Sequence, residues 1–226
     1  MCQHGAVLKR RLSGFLAVLA SATALTGGPA SPSAAADPCP DVEVIWARGT
    51  VGNAKTQLGG QGFIDLVRSK AGGRSVGQYI VNYPASFDFT SSAPIGAADA
   101  AAHVQSMAAT CPTTKMVLSG LSQGAGVISL ITANPGPLGQ YTATPMPPEM
   151  ADHVAAVAVF GNPIRKFQPG GGPLNEISAL YGAKTIDLCA NDDIFCSTGR
   201  NLAAHFSYLE NGMYDQAAQF VVDRLG

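Results

Sequence analysis

Five runs of apolar, mostly β-branched residues recur along the chain and predict buried strands. They are residues 42–47, 76–81, 115–120, 154–160 and 184–189. Apolarity within these runs is continuous rather than alternating, which is typical of strands that are covered on both faces of a sheet. The pattern therefore favours a parallel sheet.

Helical spacing of apolar residues fills the segments between these runs. Helices are predicted around residues 63–71, 95–109 and 122–131, and apolar residues again recur at helical spacing from 213 to 225. Strands that alternate with helices predict an α/β fold, with a five-stranded parallel sheet between two layers of helices. Residues 37–226 are predicted to form one domain, because their length suits a single core and no internal repeat is present.

Two segments lack periodicity and are predicted to be loops. The proline-rich stretch 134–150 connects a helix to the fourth strand and is too irregular to be an element of the core. The glycines of residues 168–176 resemble a phosphate-binding loop only superficially, because no strand leads into them and no Gly-Lys-Ser/Thr follows.

Residues 1–36 have the features of a signal peptide. Basic residues at 9–11 precede an apolar stretch at 12–25, and small residues at 34–36 suit cleavage after them. The apolar stretch is short of the roughly 20 residues that a membrane span needs, and glycines and prolines follow it directly. No later run is long enough to cross a bilayer, so the mature chain is predicted to be secreted and to have no integral membrane segment.

The mature chain carries a small negative charge. Three of the 14 Lys and Arg lie within residues 1–36 and all 15 Asp and Glu lie after them, which leaves 11 basic and 15 acidic side chains and a formal charge of −4. There is no basic block and no basic-aromatic stripe. This composition argues against nucleic acid as a partner.

Four cysteines remain after residue 36 and predict two disulfides in an oxidising compartment. Four cysteines allow three pairings. Cys189 and Cys196 are close enough to bridge one loop, and Cys39–Cys111 would then tie the N-terminus to the end of a helix. Zinc is the competing interpretation, but there is no Cys-x-x-Cys and no histidine pair at ligand spacing. No metal site is therefore predicted.

The stretch from Gly120 to Gly124, centred on Ser122, matches the G-x-S-x-G pattern of a nucleophile elbow. The pattern alone is weak in a chain with 26 glycines. Its flanks strengthen it, because an apolar strand leads in and a helix follows. An elbow exposes the serine hydroxyl above the sheet, and the helix N-terminus supplies N–H groups to a developing oxyanion. The alternative is a serine that caps the helix.

A serine nucleophile needs a base, and three histidines follow residue 36. His103 lies inside a predicted helix. His153 precedes the fourth strand, at the edge of the sheet opposite to the one where sites form. His205 follows the last strand in a segment free to return over the sheet, so it is the predicted base by elimination.

An acid is expected between the serine and the histidine, in the chain order of α/β hydrolases. Asp187 lies in the middle of a strand and should point into a packed layer. Asp192 and Asp193 follow that strand, inside the segment between Cys189 and Cys196. The residues alone do not choose between these two aspartates.

Together these motifs resemble the cutinase family of small secreted serine esterases. The resemblance covers nearly all of the mature chain. It rests on a Phe/Trp-Ala-Arg-Gly-Ser/Thr motif at 46–50, the elbow at 120–124 and a Cys-x-x-x-Asp-x-x-Cys loop at 189–196 that a histidine follows. The family implies an α/β-hydrolase fold, a three-layer sandwich with no true lid.

The resemblance also implies roles for single residues. Ser122 would be the nucleophile, His205 the general base and acid, and Asp193 the partner that orients the histidine. The oxyanion hole would use the backbone N–H groups of Thr50 and Gln123. No metal or organic cofactor is implied.

Further expectations follow from the same resemblance. The family's cysteine pairing is Cys39–Cys111 and Cys189–Cys196, in agreement with the spacing. Arg48 is expected to brace its loop rather than to contact substrate. The 134–150 connection is longer than in the compact fungal enzymes and is expected to reshape the rim of the cleft or to act as a partial cover. Four aromatic residues are candidates for the acyl groove or the core: Phe87, Phe89, Phe195 and Phe206.

The implied activity is hydrolysis of carboxylic esters through an acyl-enzyme. Substrates consistent with it are cutin-like polyester, short or medium acyl glycerols, cell-envelope lipids and acetylated polysaccharide, since acetyl xylan esterases share this architecture. A peptidase fits the resemblance less well. A catalytically silent lipid- or glycan-binding protein is the alternative class, but such a protein usually lacks a triad or oxyanion residue, and here every role has an occupant. The expected state is an extracellular or envelope-associated monomer.

Overall fold

The fold is described here from a computed structural model for residues 39–50, 54–167 and 169–226, with the backbone alone at 54–59. The strands are β1 (Val42–Ala47), β2 (Val76–Ile80), β3 (Lys115–Leu121), β4 (Gly136–Leu138), β5 (Tyr141–Ala143), β6 (Val154–Phe160) and β7 (Thr185–Leu188). The helices are α1 (Ala54–Lys70), α2 (Phe89–Thr110), α3 (Gln123–Thr132), α4 (Met150–His153) and α5 (Met213–Val222).

Five of the strands form the central sheet, in the order β2-β1-β3-β6-β7. All four neighbouring pairs are parallel. The five predicted strands agree with these to within one residue at each end. β1 and β3 lie inside the sheet and are buried along almost their whole length, which explains their continuous apolarity. The predicted α/β fold with a five-stranded parallel sheet is confirmed.

Helices cover both faces of the sheet, and successive strand residues point to opposite layers. Ile45 packs in the core that contains residues of α2 and α3. Its neighbours Val44 and Trp46 pack in a second core with α1 and α5. The molecule is therefore the three-layer sandwich that the sequence predicts.

Helix α2 begins earlier than its apolar spacing predicts, at Phe89 instead of near residue 95. The cause is a side-chain cap. Asp88 accepts a hydrogen bond from the backbone N–H of Ser91 at 3.3 Å, and this bond offsets the unpaired N–H groups of the first turn. Pro94 lies inside the helix. The residues between Phe89 and Ile95 are polar, small or proline, so this part of the helix shows no apolar periodicity.

The prediction that residues 134–150 form no part of the core is wrong. Strands β4 and β5 pair there as a short antiparallel hairpin. Leu138, Ala143 and Met146 are each at most 4% exposed and belong to the core on the α2–α3 side. Strands of three residues are too short to show alternation, so the sequence pattern did not reveal them.

Both predicted disulfides are present, Cys39–Cys111 and Cys189–Cys196. The first ties the beginning of the described chain to the residue that follows α2, and the second closes the loop after β7. All described residues fall in one compact unit. Among them, no helix has the combined length and apolarity needed to cross a membrane. The signal-peptide prediction concerns residues 1–36, which lie outside the described residues.

Candidate active site

Ser122 lies at a sharp turn between β3 and α3. Its backbone angles are φ 58° and ψ −120°, a conformation in which a residue with a side chain is strained. The turn is held by hydrogen bonds on both sides: the Ser122 N–H donates to the Phe160 carbonyl at 2.9 Å, and its carbonyl accepts from Gly126 at 3.1 Å. The Ser122 side chain makes no capping hydrogen bond to α3. The hydroxyl is thus not used to cap the helix, contrary to the alternative interpretation.

The two glycines of the elbow are required by close contacts. A Cβ at Gly120 would lie 2.5 Å from the carbonyl carbon of Gly124. A Cβ at Gly124 would lie 1.9 Å from the carbonyl oxygen of Ala47 in β1. Side chains at these positions would push α3 away from the sheet and with it the turn that carries Ser122.

His205 and Asp193 form a buried pair. The Nδ1 atom of His205 is 2.8 Å from Oδ2 of Asp193, and the two residues are 2% and 0% exposed. Two further donors bond to the same carboxyl group: the Tyr208 hydroxyl at 2.6 Å to Oδ2, and the Phe195 N–H at 2.7 Å to Oδ1. Both oxygens of the Asp193 carboxyl group therefore accept hydrogen bonds.

These bonds keep Asp193 ionised. Burial by itself raises the pKa of Asp193, but the hydrogen bonds from His205, Tyr208 and Phe195 outweigh it and hold the pKa below its usual value. A carboxylate that accepts from Nδ1 favours the histidine tautomer with its proton on that atom. The Nε2 atom of His205 is then free to accept a proton.

The adjacent Asp192 has a different place in the structure. Its side chain is exposed, its φ is 64°, and its carbonyl accepts from the Asn201 N–H at 2.9 Å. Asp192 therefore lies at a turn of the backbone, whereas Asp193 is hydrogen-bonded to the histidine. The sequence pattern left this choice open, and the resemblance to a family favoured Asp193.

Gly161 is a site residue that the sequence analysis missed. It follows β6 directly and has a φ of +56°. A Cβ there would lie 2.7 Å from Cε1 of His205 and 3.2 Å from Oδ2 of Asp193. The sequence did contain a signal for it, because Gly161 comes just after the carboxyl end of a buried central strand, where sites form in parallel sheets.

The side chain of Gln123 is fixed by two serines that the sequence analysis also missed. Its Nε2 donates to the Ser86 carbonyl at 2.8 Å, and its Oε1 accepts from the Ser92 hydroxyl at 2.9 Å. The Ser86 N–H donates in turn to the Ser92 hydroxyl at 3.2 Å. This closed ring joins the first residue of α3 to the first turn of α2 and to the segment before it, and so orients the backbone of Gln123.

Arg48 braces its loop, as the family resemblance predicts. Its guanidinium donates to the carbonyls of Tyr83 at 2.6 Å and Pro84 at 3.0 Å and lies 5.2 Å from the centre of the Tyr83 ring. The Tyr83 hydroxyl donates back to the Arg48 carbonyl. The chain that leads to Thr50 is therefore tied to the segment that follows β2.

A pocket of about 710 Å³ brings the predicted site residues together. Ser122, Gln123, Thr50 and His205 all line it. All four candidate aromatic residues line it as well: Phe87, Phe89, Phe195 and Phe206. Its remaining lining is mostly aliphatic or small. The pocket thus combines a polar centre with apolar walls, which suits an ester that has an apolar portion.

The polar residues that the sequence analysis set aside lie in structural roles. His103 bonds to Glu43 at 2.9 Å and stacks on Tyr79, with ring centroids 3.6 Å apart. Asp187 is buried in β7 and pairs with Arg165 at 3.2 Å. Within the described part of the chain, no three His, Cys, Asp or Glu side chains are grouped so that they could hold a metal ion.

A parallel sheet with a serine elbow at its carboxyl edge, and a histidine–aspartate pair beside the same pocket, is the arrangement of an α/β hydrolase. The family model for Cutinase matches residues 38–225, and the chain belongs to the cutinase family.

The chain is similar to characterised and solved proteins along most of its length. It is 49% identical to the carboxylesterase Culp1 of Mycobacterium tuberculosis over 214 residues, which are 92% of this chain and 93% of that protein. It is 43% identical to the phospholipase Culp4 of the same organism over 216 residues, 96% and 92% of the two chains. Among solved structures, the Trichoderma reesei cutinase with a C11Y4 phosphonate inhibitor has a TM-score of 0.65 and 32% identity, covering 84% of this chain and 78% of that one. The protein is therefore a carboxylic ester hydrolase.

Proposed function

We propose that the protein is a secreted serine esterase that cleaves short- to medium-chain acyl esters, including lipid esters, through an acyl-enzyme on Ser122. His205 acts as general base and acid, and Asp193 orients it. The backbone N–H groups of Thr50 and Gln123 form the oxyanion hole. The observation that carries the proposal is the lining of one pocket by the elbow serine and by a histidine whose Nδ1 is bonded to a buried carboxylate.

The reaction proceeds in two halves. Nε2 of His205 takes the Ser122 proton while Oγ attacks the ester carbonyl, and the oxyanion hole stabilises the negative oxygen that forms. The imidazolium then gives its proton to the departing alkoxide, which leaves as an alcohol. Water repeats the sequence: His205 takes its proton, its oxygen attacks the acyl carbonyl, and Ser122 regains its proton as the acid leaves.

Three features support this assignment. The low pKa of Asp193 keeps a negative charge beside the imidazolium that forms in each half-reaction. The elbow holds Ser122 in a strained conformation and leaves its hydroxyl free of a helix-capping bond. The Gln123 side chain is locked by Ser86 and Ser92, which preorganises the backbone N–H of that residue.

The lining of the pocket favours acyl chains longer than acetyl. Five phenylalanines and a volume of about 710 Å³ give far more apolar surface than an acetyl group fills. Similarity to a carboxylesterase and to a phospholipase supports the same substrate class. An acetyl-polysaccharide esterase is the second candidate, and it predicts highest activity on acetate esters. The two disulfides support export to an oxidising compartment.

The test is hydrolysis of p-nitrophenyl esters from acetate to palmitate by the wild type, by Ser122→Ala and by Ser69→Ala. Ser69 is an exposed serine of α1 and serves as the matched control. We expect Ser122→Ala to lose activity by a factor on the order of 10⁴ to 10⁶, and Ser69→Ala to keep wild-type rates. An alkyl phosphonate should add to the wild type and to Ser69→Ala, as read by intact mass, but not to Ser122→Ala. Activity that survives in Ser122→Ala would refute the proposal.

A further inference from the structure

Two residues of the β4–β5 hairpin reach the pocket that Ser122 lines. Gln140 and Tyr141 form part of its wall, together with Phe167. The rings of Tyr141 and Phe167 stack with centroids 6.2 Å apart and planes inclined by 28°. The Gln140 amide donates to the Tyr141 hydroxyl at 3.0 Å. The Tyr141 ring is therefore held both on its face and at its hydroxyl end.

The hairpin is anchored by its backbone on two sides. Towards α3, the N–H of Thr144 donates to a carbonyl of that helix at 2.9 Å. Towards the loop after Phe167, the Gly139 N–H donates to the Pro169 carbonyl at 2.8 Å. Gly170 of that loop comes so near the hairpin that a Cβ there would lie 1.9 Å from the carbonyl oxygen of Pro137. The hairpin is therefore a fixed wall of the pocket and not a lid.

The surroundings of Tyr141 include Asp88, the residue that caps α2. Burial is the main cause that raises the pKa of Tyr141; the Gln140 bond lowers it, and the nearby negative charge of Asp88 raises it. Phe87 and Phe89 flank Asp88 and are 73% and 39% exposed. The pocket thus has an open aromatic side at α2 and a closed side at the hairpin.

The pocket has a buried apolar part beside the hairpin. Leu130 and Ile164 line it and are 4% and 1% exposed. Leu130 provides the carbonyl to which the hairpin is bonded, and the Ile164 carbonyl accepts from the Phe167 N–H at 3.1 Å. An acyl chain that enters this part gains the most binding affinity, because each buried methylene strengthens binding about fourfold.

We infer that the Tyr141–Phe167 ring pair closes the acyl-binding part of the pocket and that Tyr141 determines the longest acyl chain the enzyme accepts efficiently. The inference rests on the proposed function, because it needs an acyl group attached at Ser122. Tyr141 is a specificity-determining residue in this scheme and takes no part in the chemistry. A smaller side chain at position 141 should lengthen the acyl-binding part of the pocket beside Phe167, and a larger side chain should shorten it.

The experiment compares kcat/KM for p-nitrophenyl esters from C2 to C16, kept below their solubility limits, in the wild type, Tyr141→Ala and Tyr141→Trp. Tyr141→Ala should raise the ratio of a long ester to butyrate about tenfold or more, since two or more methylenes gain a buried site at about fourfold each. Tyr141→Trp should lower that ratio. The acetate kcat/KM of each variant is the internal reference, so that the comparison concerns the shape of the chain-length profile and not its absolute height.

Tyr79→Ala is the matched control. Tyr79 is also a half-buried tyrosine stacked on another ring, that of His103, but it lies outside the pocket. Its removal should leave the chain-length profile unchanged. Tyr141→Phe, which keeps the stacked ring, should also retain the wild-type profile. The tryptophan variant keeps the test decisive if the alanine variant does not fold.

Two results would overturn the inference: profiles of the Tyr141 variants that superimpose on the wild type, or an equal shift in Tyr79→Ala. Failure of the proposed function has a different signature. Activity that persists in Ser122→Ala refutes the nucleophile, whatever the position 141 variants do. An unchanged profile in an enzyme that Ser122→Ala silences refutes only the closing role of Tyr141.

Discussion

The imidazole of His205 lies directly against the backbone of Gly161. A Cβ at position 161 would stand 2.7 Å from Cε1 and 2.9 Å from Nδ1 of the ring. The N–H of Gly161 donates to the Leu188 carbonyl at 2.9 Å, which fixes the end of β6 to the end of β7. The edge of the sheet therefore sets the position of the ring, and Asp193 sets its orientation.

Gly161→Ala should impair activity more than stability. The φ of +56° costs an alanine roughly 1–2 kcal/mol, and displacement of His205 should lower kcat/KM by about 100-fold. Gly73→Ala is the matched control, because Gly73 has a φ of +86° and nothing within 4 Å of the added Cβ. Melting temperature and ester hydrolysis of both variants test this. Equal activity in the two variants would show that the contact with His205 is unimportant.

Tyr208→Phe should destabilise the protein by about 2 kcal/mol at pH 7, because it removes a hydrogen bond to a buried carboxylate. The loss should depend on pH. The folded-state pKa of Asp193 is lowered, so its carboxylate contributes stability that is present above the unfolded-state pKa of about 3.9 and is lost as pH falls through the folded-state pKa. Without the tyrosine hydroxyl the folded-state pKa of Asp193 rises. The free energy of unfolding of the variant should therefore approach that of the wild type as pH falls from 7 to 2.

Urea unfolding across this pH range measures the difference in free energy. Tyr214→Phe is the control, since that ring lies in the same aromatic cluster with its centroid 6.4 Å from that of Tyr208. The difference between Tyr214→Phe and wild type should not narrow at low pH. If the difference in free energy of unfolding between Tyr208→Phe and wild type is constant from pH 7 to pH 2, the assigned role of the hydroxyl is contradicted.

The two disulfides should have separable effects. Joint replacement of Cys39 and Cys111 by alanine opens a link across 72 residues and should cost about 4 kcal/mol of stability, with kcat/KM of the folded protein within about twofold of wild type. Joint replacement of Cys189 and Cys196 opens a link across seven residues and should cost about 2.5 kcal/mol. Because Asp193 lies inside that shorter loop, kcat/KM should fall more than about tenfold. The opposite ranking of activity losses would refute this division.

Asp187→Ala should lower the free energy of unfolding by about 3 kcal/mol. The substitution leaves three donors without their buried acceptor: Arg165, Asn162 and the Leu174 N–H. Asp215→Ala is the control, because its ion pair with Lys70 is exposed and should be worth less than about 1 kcal/mol. Denaturant unfolding of both variants gives the comparison, and losses of similar size would argue against the buried network.

The sequence predicts best those features whose cause is local. The strands are visible because burial on both faces requires continuous apolarity, as in β1 and β6. The turn at Ser122 is visible because strand, glycines and helix are consecutive. Helix α2 is only partly visible, since its first turn depends on the Asp88 cap and not on apolar spacing.

The missed features are contacts between residues far apart in the chain. Ser92 reaches Gln123 across 31 positions, and Tyr208 reaches Asp193 across 15. No spacing rule selects such partners, because folded geometry alone brings them together. Residue type and position do not separate Asp192 from Asp193; the family resemblance favours Asp193, and the positive φ of Asp192 gives the physical difference between them.

Different parts of the β4–β5 hairpin fix its position and shape the pocket. Its position is set by main-chain hydrogen bonds and by the burial of Leu138 and Ala143, so we expect it to tolerate replacement of the residues at its tip. Its contribution to the pocket comes from the side chains at positions 140 and 141. If Tyr141 closes the acyl-binding part as inferred, substitutions at these two positions should change which esters the enzyme accepts while the backbone anchors of the hairpin stay in place.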